Sequence, residues 1–388
     1  MITKNSHINF LAMKSYLCLS ILLLTCSLSS IAQDYEIYVS DISNFNPPFQ
    51  VLKYDSNGSN GEVFAGASEE VSWPQDIVFL EGQNIALISN FNGFNPQTGY
   101  ISKHDIETGE FIDFFATAIG SPTRMRIGAD SLLYVLQWHG SGKVLRYELD
   151  GTFVGEFTEV GVSESIGMDW DNAGNLYVSS FGEKKVHKFG TNGEDLGVFT
   201  SSNLSGPTDI RFNEVGALMV VDWQAGNVKK FTSDGIYDGI FIPGLARPEG
   251  VALLPDGNIL IGNGGQSTNT GSIKMYTPEG QHIEDIIEAG DGGLDMPNAV
   301  VIRDLATVAV SNPTHDDKFV QPTLGRQFEI NLHDKYHLRV VNNYGQVVFE
   351  TFAQDTFIWN VNNIPDGLYY IIAQTKKRGW VQKIIVVN

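Results

Sequence analysis

The chain has 388 residues and sets 25 Lys and Arg against 45 Asp and Glu, a formal net charge of −20. A surface this acidic repels nucleic acid and anionic lipid, which argues against both as partners. With only two cysteines, Cys18 and Cys26, the chain is no disulfide-rich scaffold.

In chain order, the first predicted element is a targeting segment. Residues 13–33, MKSYLCLSILLLTCSLSSIAQ, join a basic start, an apolar run and a small-residue exit. That is the pattern of a secretory signal peptide, too short for a comfortable membrane span. Met13 is a better start than Met1. Ser30-Ile31-Ala32 points to cleavage after Ala32, with Gln33 as the second choice, so the signal is assigned to residues 1–32. LLTC at 23–26 has the outline of a lipobox, but Thr25 is a poor residue before the cysteine. Both cysteines fall inside the removed segment. The mature chain is therefore expected to have no thiol chemistry and no transmembrane helix.

From residue 33 to 304 the sequence repeats. WPQDI at 73–77, SPTRM at 121–125, GPTDI at 206–210, RPEGV at 247–251 and MPNAV at 296–300 share one frame, and ESIGM at 164–168 fits it with Ser165 in the proline's place. The intervals from Pro74 to Pro122, Ser165, Pro207, Pro248 and Pro297 are 48, 43, 42, 41 and 49 residues. A period in this range marks a solenoid or a β-propeller. Each unit reads as four short strands. An apolar run follows the proline, such as GVALL at 250–254. A turn such as DNAGN at 171–175 leads to a second run, such as LYVSS at 176–180. A third strand such as KVHKFGTNG at 185–193 and a fourth such as FVGEFTEV at 153–160 complete the unit. No sustained helical period interrupts 35–304, so four antiparallel strands per repeat predict propeller blades. EIYVSDI at 36–42 starts mid-blade, and its missing first strand is expected from PNAVVIRD at 297–304. That pairing closes a ring of six blades and removes open sheet edges.

The frame P-x-[DG]-[IV], the G-N/A-L-Y-V run and the [KR]-[VY]-x-[KR]-[FY] strand ending in [DS]-G resemble the NHL family and its relatives among six-bladed propellers. The resemblance implies the fold and leaves function open, because related propellers include binding modules, lactonases and lyases.

After residue 304 the repeat stops. QFEINL at 327–332, YHLRVVNNYGQVVFE at 336–350, PDGLYYIIA at 365–373 and VQKIIVVN at 381–388 read as strands, with turns at Asn343-Tyr344-Gly345 and Pro365-Asp366-Gly367. SNPT at 311–314, the V-x-N-x-x-G-Q-V hairpin, the P-x-G-L-Y-Y strand and the terminal Q-K-I-I-V resemble the C-terminal sorting domain of the type IX secretion system of Bacteroidota. The resemblance implies a small β-sandwich over 305–388, engagement of the type IX machinery by 310–388, export through the periplasm to the medium or the outer-membrane surface, and removal of the domain. Charge divides at the same place. Residues 33–304 hold 15 Lys and Arg against 38 Asp and Glu, and residues 305–388 hold 8 against 7.

Stacking the repeats groups the positions where chemistry could sit. Behind the proline frame lie Gln75-Asp76, Thr123-Arg124, Ile166-Gly167, Thr208-Asp209, Glu249-Gly250 and Asn298-Ala299. At the end of each second strand lie Asp41, Asn90, Gln137, Ser180, Asp222 and Asn263. Four of these precede an aromatic, namely Phe91, Trp138, Phe181 and Trp223. Polar groups beside aromatic faces suit a glycan, a peptide or a protein ligand, and equally they suit strand ends that cap backbone. The loops at 41–49, 89–99 and 262–271 are longer than their counterparts and are expected to form one wall on that face. The expected binding residues are Arg124, Trp138, His139, Asp209, Trp223, Glu249 and Asn298. Arg124 reads either as a substrate carboxylate anchor or as a salt-bridge partner of Asp76 and Asp209. Lactonase-like propellers hold a divalent cation in the channel, and Glu249 and Asn298 are the two positions that match their ligands. Gln75, Thr123, Ile166 and Thr208 do not, so the ligand set for Ca²⁺ or another hard cation is thin and no cofactor is expected. DWDNAG at 169–174 opens like a calcium loop but reaches Ser180 where a Glu is needed. His104 and His187 fall in third strands and are expected to face outward. His139 lacks a visible acid or base partner, so no catalytic residue is assigned. The leading expectation is an extracellular binding propeller. The alternative is a lactonase-like or lyase-like enzyme with a channel cation.

Overall fold

A computed structural model describes residues 35–93, 97–213, 215–305, 319–342, 347–361, 364–374 and 379–387. The expected signal peptide, both cysteines, the SNPT stretch and the Asn343-Tyr344-Gly345 turn lie outside these residues. No helix among the described residues is long and apolar enough to cross a membrane.

Six four-stranded antiparallel sheets form the blades of a propeller. Blade 1 joins Pro297–Asp304 to Tyr35–Asp41, Gln50–Asp55 and Glu62–Ala65. The closing ladder runs from Tyr35 opposite Asp304 to Asp41 opposite Pro297. Blades 2 to 6 begin at Pro74, Pro122, Ser165, Pro207 and Pro248, the frame positions of the repeat. Arg303 secures the seam. Its guanidinium, 2% exposed, binds Glu81 through Nε at 2.9 Å and Glu107 through Nη2 at 2.6 Å, which ties the closing strand to blade 2.

Each second strand is buried on both faces, so alternate residues feed two different cores. In Leu218–Asp222, Leu218 and Val220 join a cluster with Tyr177, Val186 and Ile210 of blade 4 and its neighbour strand, while Met219 and Val221 join Val251, Ile259 and Ile261 of blade 6. In Tyr35–Asp41, Ile37 and Val39 pack toward blade 6, and Tyr38 packs toward blade 2. The ring has one such wedge between every pair of neighbouring blades. Every blade therefore depends on both of its neighbours.

The C-terminal module is also all-β. Val320–Gln321, Leu324–Gly325, Gln327–Asn342, Val347–Asn360, Gly367–Gln374 and Gly379–Val386 form one hydrogen-bonded sheet. The sheet curls around a core of Phe328, Ile330, Leu338, Val340, Trp359, Ile371 and Ile384.

Candidate functional site

The first strands deliver the channel residues through a shared irregularity. In blades 3 to 6 the ladder between first and second strands shifts register just after the frame position, between Pro122 and Met125, Ser165 and Met168, Pro207 and Ile210, and Pro248 and Val251. A bulge of this kind re-aims the skipped residues. Those residues are Thr123-Arg124, Ile166-Gly167, Thr208-Asp209 and Glu249-Gly250. Gly167 is required here, because a Cβ would lie 2.4 Å from the Thr208 carbonyl of the next blade.

The bulges bring Arg124, Asp209, Glu249 and Asn298 together, and all four are buried, with Arg124 and Asn298 at 0% exposure. The Arg124 guanidinium donates through Nη1 to the Gln75 carbonyl and through Nη2 to the Asn298 carbonyl at 2.7 Å. Its Nε lies 3.6 Å from Asp209 Oδ2, and its Nη2 lies 3.9 Å from Glu249 Oε1. One side chain from blade 3 thus reaches blades 1, 2, 5 and 6. Arg126 and Arg211, two residues beyond the bulge positions, extend the network. Arg126 Nη1 donates to Asp76 Oδ2 at 2.8 Å, and Arg211 Nη1 lies 3.3 Å from Asp209 Oδ1. Arg124 is therefore not the sole inner-ring cation, as the repeat alignment implied. Residues two apart on a strand share a face, and that spacing is the signal that could have found the others.

This network is nearly charge-balanced but not evenly so. Burial pushes the Glu249 carboxyl up to about 7, with Asp209 adding to the rise and Arg124 opposing it. Asp169 is likewise raised by burial, against the pull of Arg211. Burial also works against ionised Asp209, but Arg211, Arg124 and Arg126 together outweigh it and hold that carboxyl low. Two oxygens, Asp76 Oδ1 and Asn298 Oδ1, are buried without a hydrogen-bond partner. Among the described residues no group of three or more His, Cys, Asp or Glu is placed to hold a metal ion. Of the two matches to the lactonase-like ligands, Glu249 lies beside the Arg124 guanidinium, whereas Asn298 meets it through the backbone carbonyl and turns its amide nitrogen to the Pro74 carbonyl.

The polar residues ending the second strands are turned inward. Asn90 Oδ1 accepts from Ser72 N–H, Gln137 Oε1 from Gly120 N–H, Asn263 Oδ1 from Ala246 N–H, and Asp222 from Ser205 and Gly206 N–H. Asp41 accepts from Asp295 and Met296 N–H, and Ser180 Oγ donates to the Ser163 carbonyl. Each secures the turn that enters its own blade. These six positions serve the backbone, which is the second of the two readings the sequence allowed.

The residue after each polar position is held by one repeated bond. Its N–H donates to the carbonyl of the residue that precedes the frame position: Ile42 to Met296, Phe91 to Trp73, Trp138 to Ser121, Phe181 to Glu164, Trp223 to Gly206 and Gly264 to Arg247. The rings then meet from blade to blade. Centroids lie 5.7 Å apart for Phe45 and Trp73, 5.3 Å for Trp73 and Phe91, 6.0 Å for Phe91 and Trp138, 5.8 Å for Trp138 and Phe181, and 6.1 Å for Phe181 and Trp223. This arc crosses blades 1 to 5. Phe45 is exposed, Trp73, Trp138, Phe181 and Trp223 are half-buried, and Phe91 is buried. His139 joins the arc 5.9 Å from Phe91, with its Nδ1 3.1 Å from Ser121 Oγ.

Two members of this face, Trp73 and Arg247, were not singled out from sequence. Both precede the frame proline, and both have left-handed backbones with φ of 56° and 47°. Ser121 and Glu164 repeat the conformation at 54° and 50° in their blades. A left-handed turn is unfavourable for bulky residues and persists only where the surroundings impose it. Arg247 sits where the arc is open, at blade 6. It donates through Nε to Gly265 O at 2.9 Å, through Nη2 to Gly264 O at 3.1 Å and through Nη1 to Asn44 Oδ1 at 2.9 Å. It thereby joins the long loops of blades 1 and 6. The loop of blade 2 meets this face through Phe91, with residues 94–96 outside the described structure.

His104 and His187 do not face outward. His104 is fully buried between Gly109 O and Ser102 Oγ, and burial pushes its imidazole below the ordinary value. His187 is 7% exposed and 2.6 Å from Asp195. Third strands lie inside the blade, so one face of each is covered by a neighbour. Asp171 in the DWDNAG stretch is engaged by Ala173 N–H, Asn175 and the Tyr177 hydroxyl, as a hairpin residue is.

Residues 322–387 match the family of secretion system C-terminal sorting domains. A comparison with curated proteins found no match. Among solved structures, a chain in the nidogen/laminin complex is similar at 13% identity and a TM-score of 0.56, covering 69% of this chain and 98% of that one. A protein of unknown function from Bacteroides caccae is similar at 15% identity and a TM-score of 0.54, over 69% and 98%. At such identities the likeness is one of fold. The sorting domain marks the protein for type IX export, to the medium or to the outer-membrane surface.

Proposed function

We propose that this secreted propeller is an extracellular binding protein for a glycan, peptide or protein ligand, which it meets on the face carrying Trp73, Trp138, His139, Phe181 and Trp223. The observation that carries this reading is the aromatic arc. Four blades place a ring at the same position of the repeat, Phe45 and Trp73 extend the row into blade 1, and each ring meets the next. A core would bury such rings. Here most of them stay half-buried at the surface. Flat, rigid rings offer large contact area to sugar faces and apolar side chains at little entropic cost.

The arc shifts the site outward from the residues expected first. Trp138, His139 and Trp223 belong to it, whereas Arg124, Asp209, Glu249 and Asn298 act from below as the rigid floor that fixes the blades. The alternative, a lactonase-like or lyase-like enzyme with a channel cation, gains nothing from this floor. The positively charged guanidinium of Arg124 already lies among the carboxylates that a divalent cation would need. A glycan and peptide array probed with the purified full chain tests the reading, alongside elemental analysis for calcium and zinc. Retention of a defined ligand, lost in Trp138→Ala and Trp223→Ala, is the expected result. Stoichiometric metal together with chelator-sensitive lactone hydrolysis would replace the binding reading with the enzymatic one.

A further inference from the structure

Among the described residues, the longest unpaired edge of the sorting tail is a single 14-residue strand. Gln327–Asn342 is flanked on one side by Val320–Gln321 and Gly367–Gln374, and at the far end of the sheet the parallel strand Leu324–Gly325 pairs with Ile385 and Val386, the last two residues of Gly379–Val386. Val347–Asn360 lies at the other end of the sheet. Its ladder runs from Val347 opposite Val341 to Asn360 opposite Gln327, and among the described residues it pairs with no other strand. At 14 residues it is longer than any outer strand of the blades, of which Phe111–Ile119 has 9. In an antiparallel ladder about half the residues of an edge strand aim both backbone groups away from the partner.

Edges of this kind are normally blunted by Pro, by Lys, by shortness or by a covering segment. VVFETFAQDTFIWN contains no Pro, Lys or Arg. It is interrupted twice, at Asp355, with φ 57°, beside the register shift facing Asn331 to Lys335, and near its start, where the ladder shifts between Val340 and Val341. The strand also displays apolar surface. Val347 is 50% exposed, Phe352 68% and Ile358 51%, in the presence of the whole chain. A sorting domain exists to be recognised, and this strand lies entirely within the matched residues 322–387.

We propose that the type IX machinery recognises the tail by strand addition, laying an extended segment of its own along Val347–Asn360. Main-chain bonds to the edge supply the affinity, and Val347, Phe352 and Ile358 supply the side-chain contacts. This inference concerns the tail and is independent of what the propeller binds.

The test is export of the full chain from a host with a type IX system, measured as protein in the medium and on the surface against protein held in the periplasm. Phe352→Lys places a charge on the exposed edge strand and is expected to cut export about tenfold, as losing roughly 1.4 kcal/mol of docking energy does. Leu324→Lys, at an exposed leucine on the opposite end of the sheet, is expected to export normally. Thermal unfolding and limited proteolysis of the purified variants separate export defects from misfolding. Glu350→Pro and Thr351→Pro give a second route. Neighbouring residues aim their N–H groups in opposite directions, so one of the two prolines removes an outward donor and keeps the fold. That folded proline variant is expected to be retained. Normal export of folded Phe352→Lys, or of the folded proline variant, overturns the proposal. Equal retention of Leu324→Lys overturns it too. So does a dimer of the unmodified chain that Phe352→Lys dissociates without affecting export, since the edge would then serve a second copy.

Discussion

Arg124 Nε lies 3.6 Å from Asp209 Oδ2 inside the channel, with the arginine fully buried and the aspartate 2% exposed. Blades 3 and 5 are not neighbours, so this pair spans the ring rather than a blade interface. Such a pair has two consequences. It removes two charges from water, and it makes each charge necessary to the other.

Arg124→Met is expected to destabilise the propeller by about 3–5 kcal/mol, because Asp209 and Glu249 lose a counter-charge while the Gln75 and Asn298 carbonyls lose a donor. Denaturant unfolding measures it. Adding Asp209→Asn should recover part of the loss, since the uncompensated charge is what costs most. A single-mutant loss below about 1 kcal/mol would show that water fills the channel and screens the carboxylates.

Glu249 gives a pH dependence with a definite sign. Its carboxyl rises from the ordinary 4.5 to about 7 on folding. The folded state then holds the proton more tightly than the unfolded chain between those values. Stability from this group is present at low pH and falls as pH rises from about 4.5 to 7, by at most about 3 kcal/mol. Glu249→Gln should flatten this part of the stability profile and be the more stable protein at pH 8. Parallel profiles for the two proteins across that window would exclude the effect.

Asp222 and Trp223 are adjacent and should behave oppositely. Asp222 accepts Ser205 and Gly206 N–H and pairs with Lys229 at 2.6 Å, both partners being buried. Asp222→Ala leaves a buried ammonium without its partner and is expected to cost about 3–5 kcal/mol. Its effect should appear in unfolding experiments before it appears in any binding assay.

Trp223→Ala removes a half-buried ring at the end of the arc. It should weaken ligand retention several-fold, on the order of 1 kcal/mol per aromatic contact, while the ring remains folded. Circular dichroism and thermal unfolding provide the folding control for the array measurement. A variant that binds as the unmodified protein does would move the ligand off this face.

The repeat made the architecture legible because it is written in spacing. Proline at the start of five of the six blades, glycine and asparagine in the first hairpin and alternating apolar residues in the second strand all act locally. Their period then fixes how many blades must share a ring. The tail was legible for the same reason, through the order of its turns and strands.

The site was half legible. Stacking the repeats found Arg124, Asp209, Glu249 and Asn298 as one level, and Phe91, Trp138, Phe181 and Trp223 as another. It set Trp138, His139 and Trp223 on a face above Arg124, Asp209, Glu249 and Asn298, and left open how each level is bonded. Asn90 and Trp138 occupy consecutive places in their repeats, yet one bonds its own blade's entry turn and the other reaches the surface. Trp73 and Arg247 escaped notice because their contribution depends on a left-handed φ, and neither Trp nor Arg advertises one.

The sequence by itself determined the count of blades, the strand that closes the ring and the tail that sends the protein out, since these follow from local preference repeated at a fixed interval. Tertiary structure alone decided that the channel charges neutralise one another and that the aromatics meet across blades. Both outcomes depend on distances between residues far apart in the chain, such as Arg124 and the Asn298 carbonyl or Phe91 and Trp138. Those distances exist only once the bulges have turned the side chains inward and the ring has closed around them.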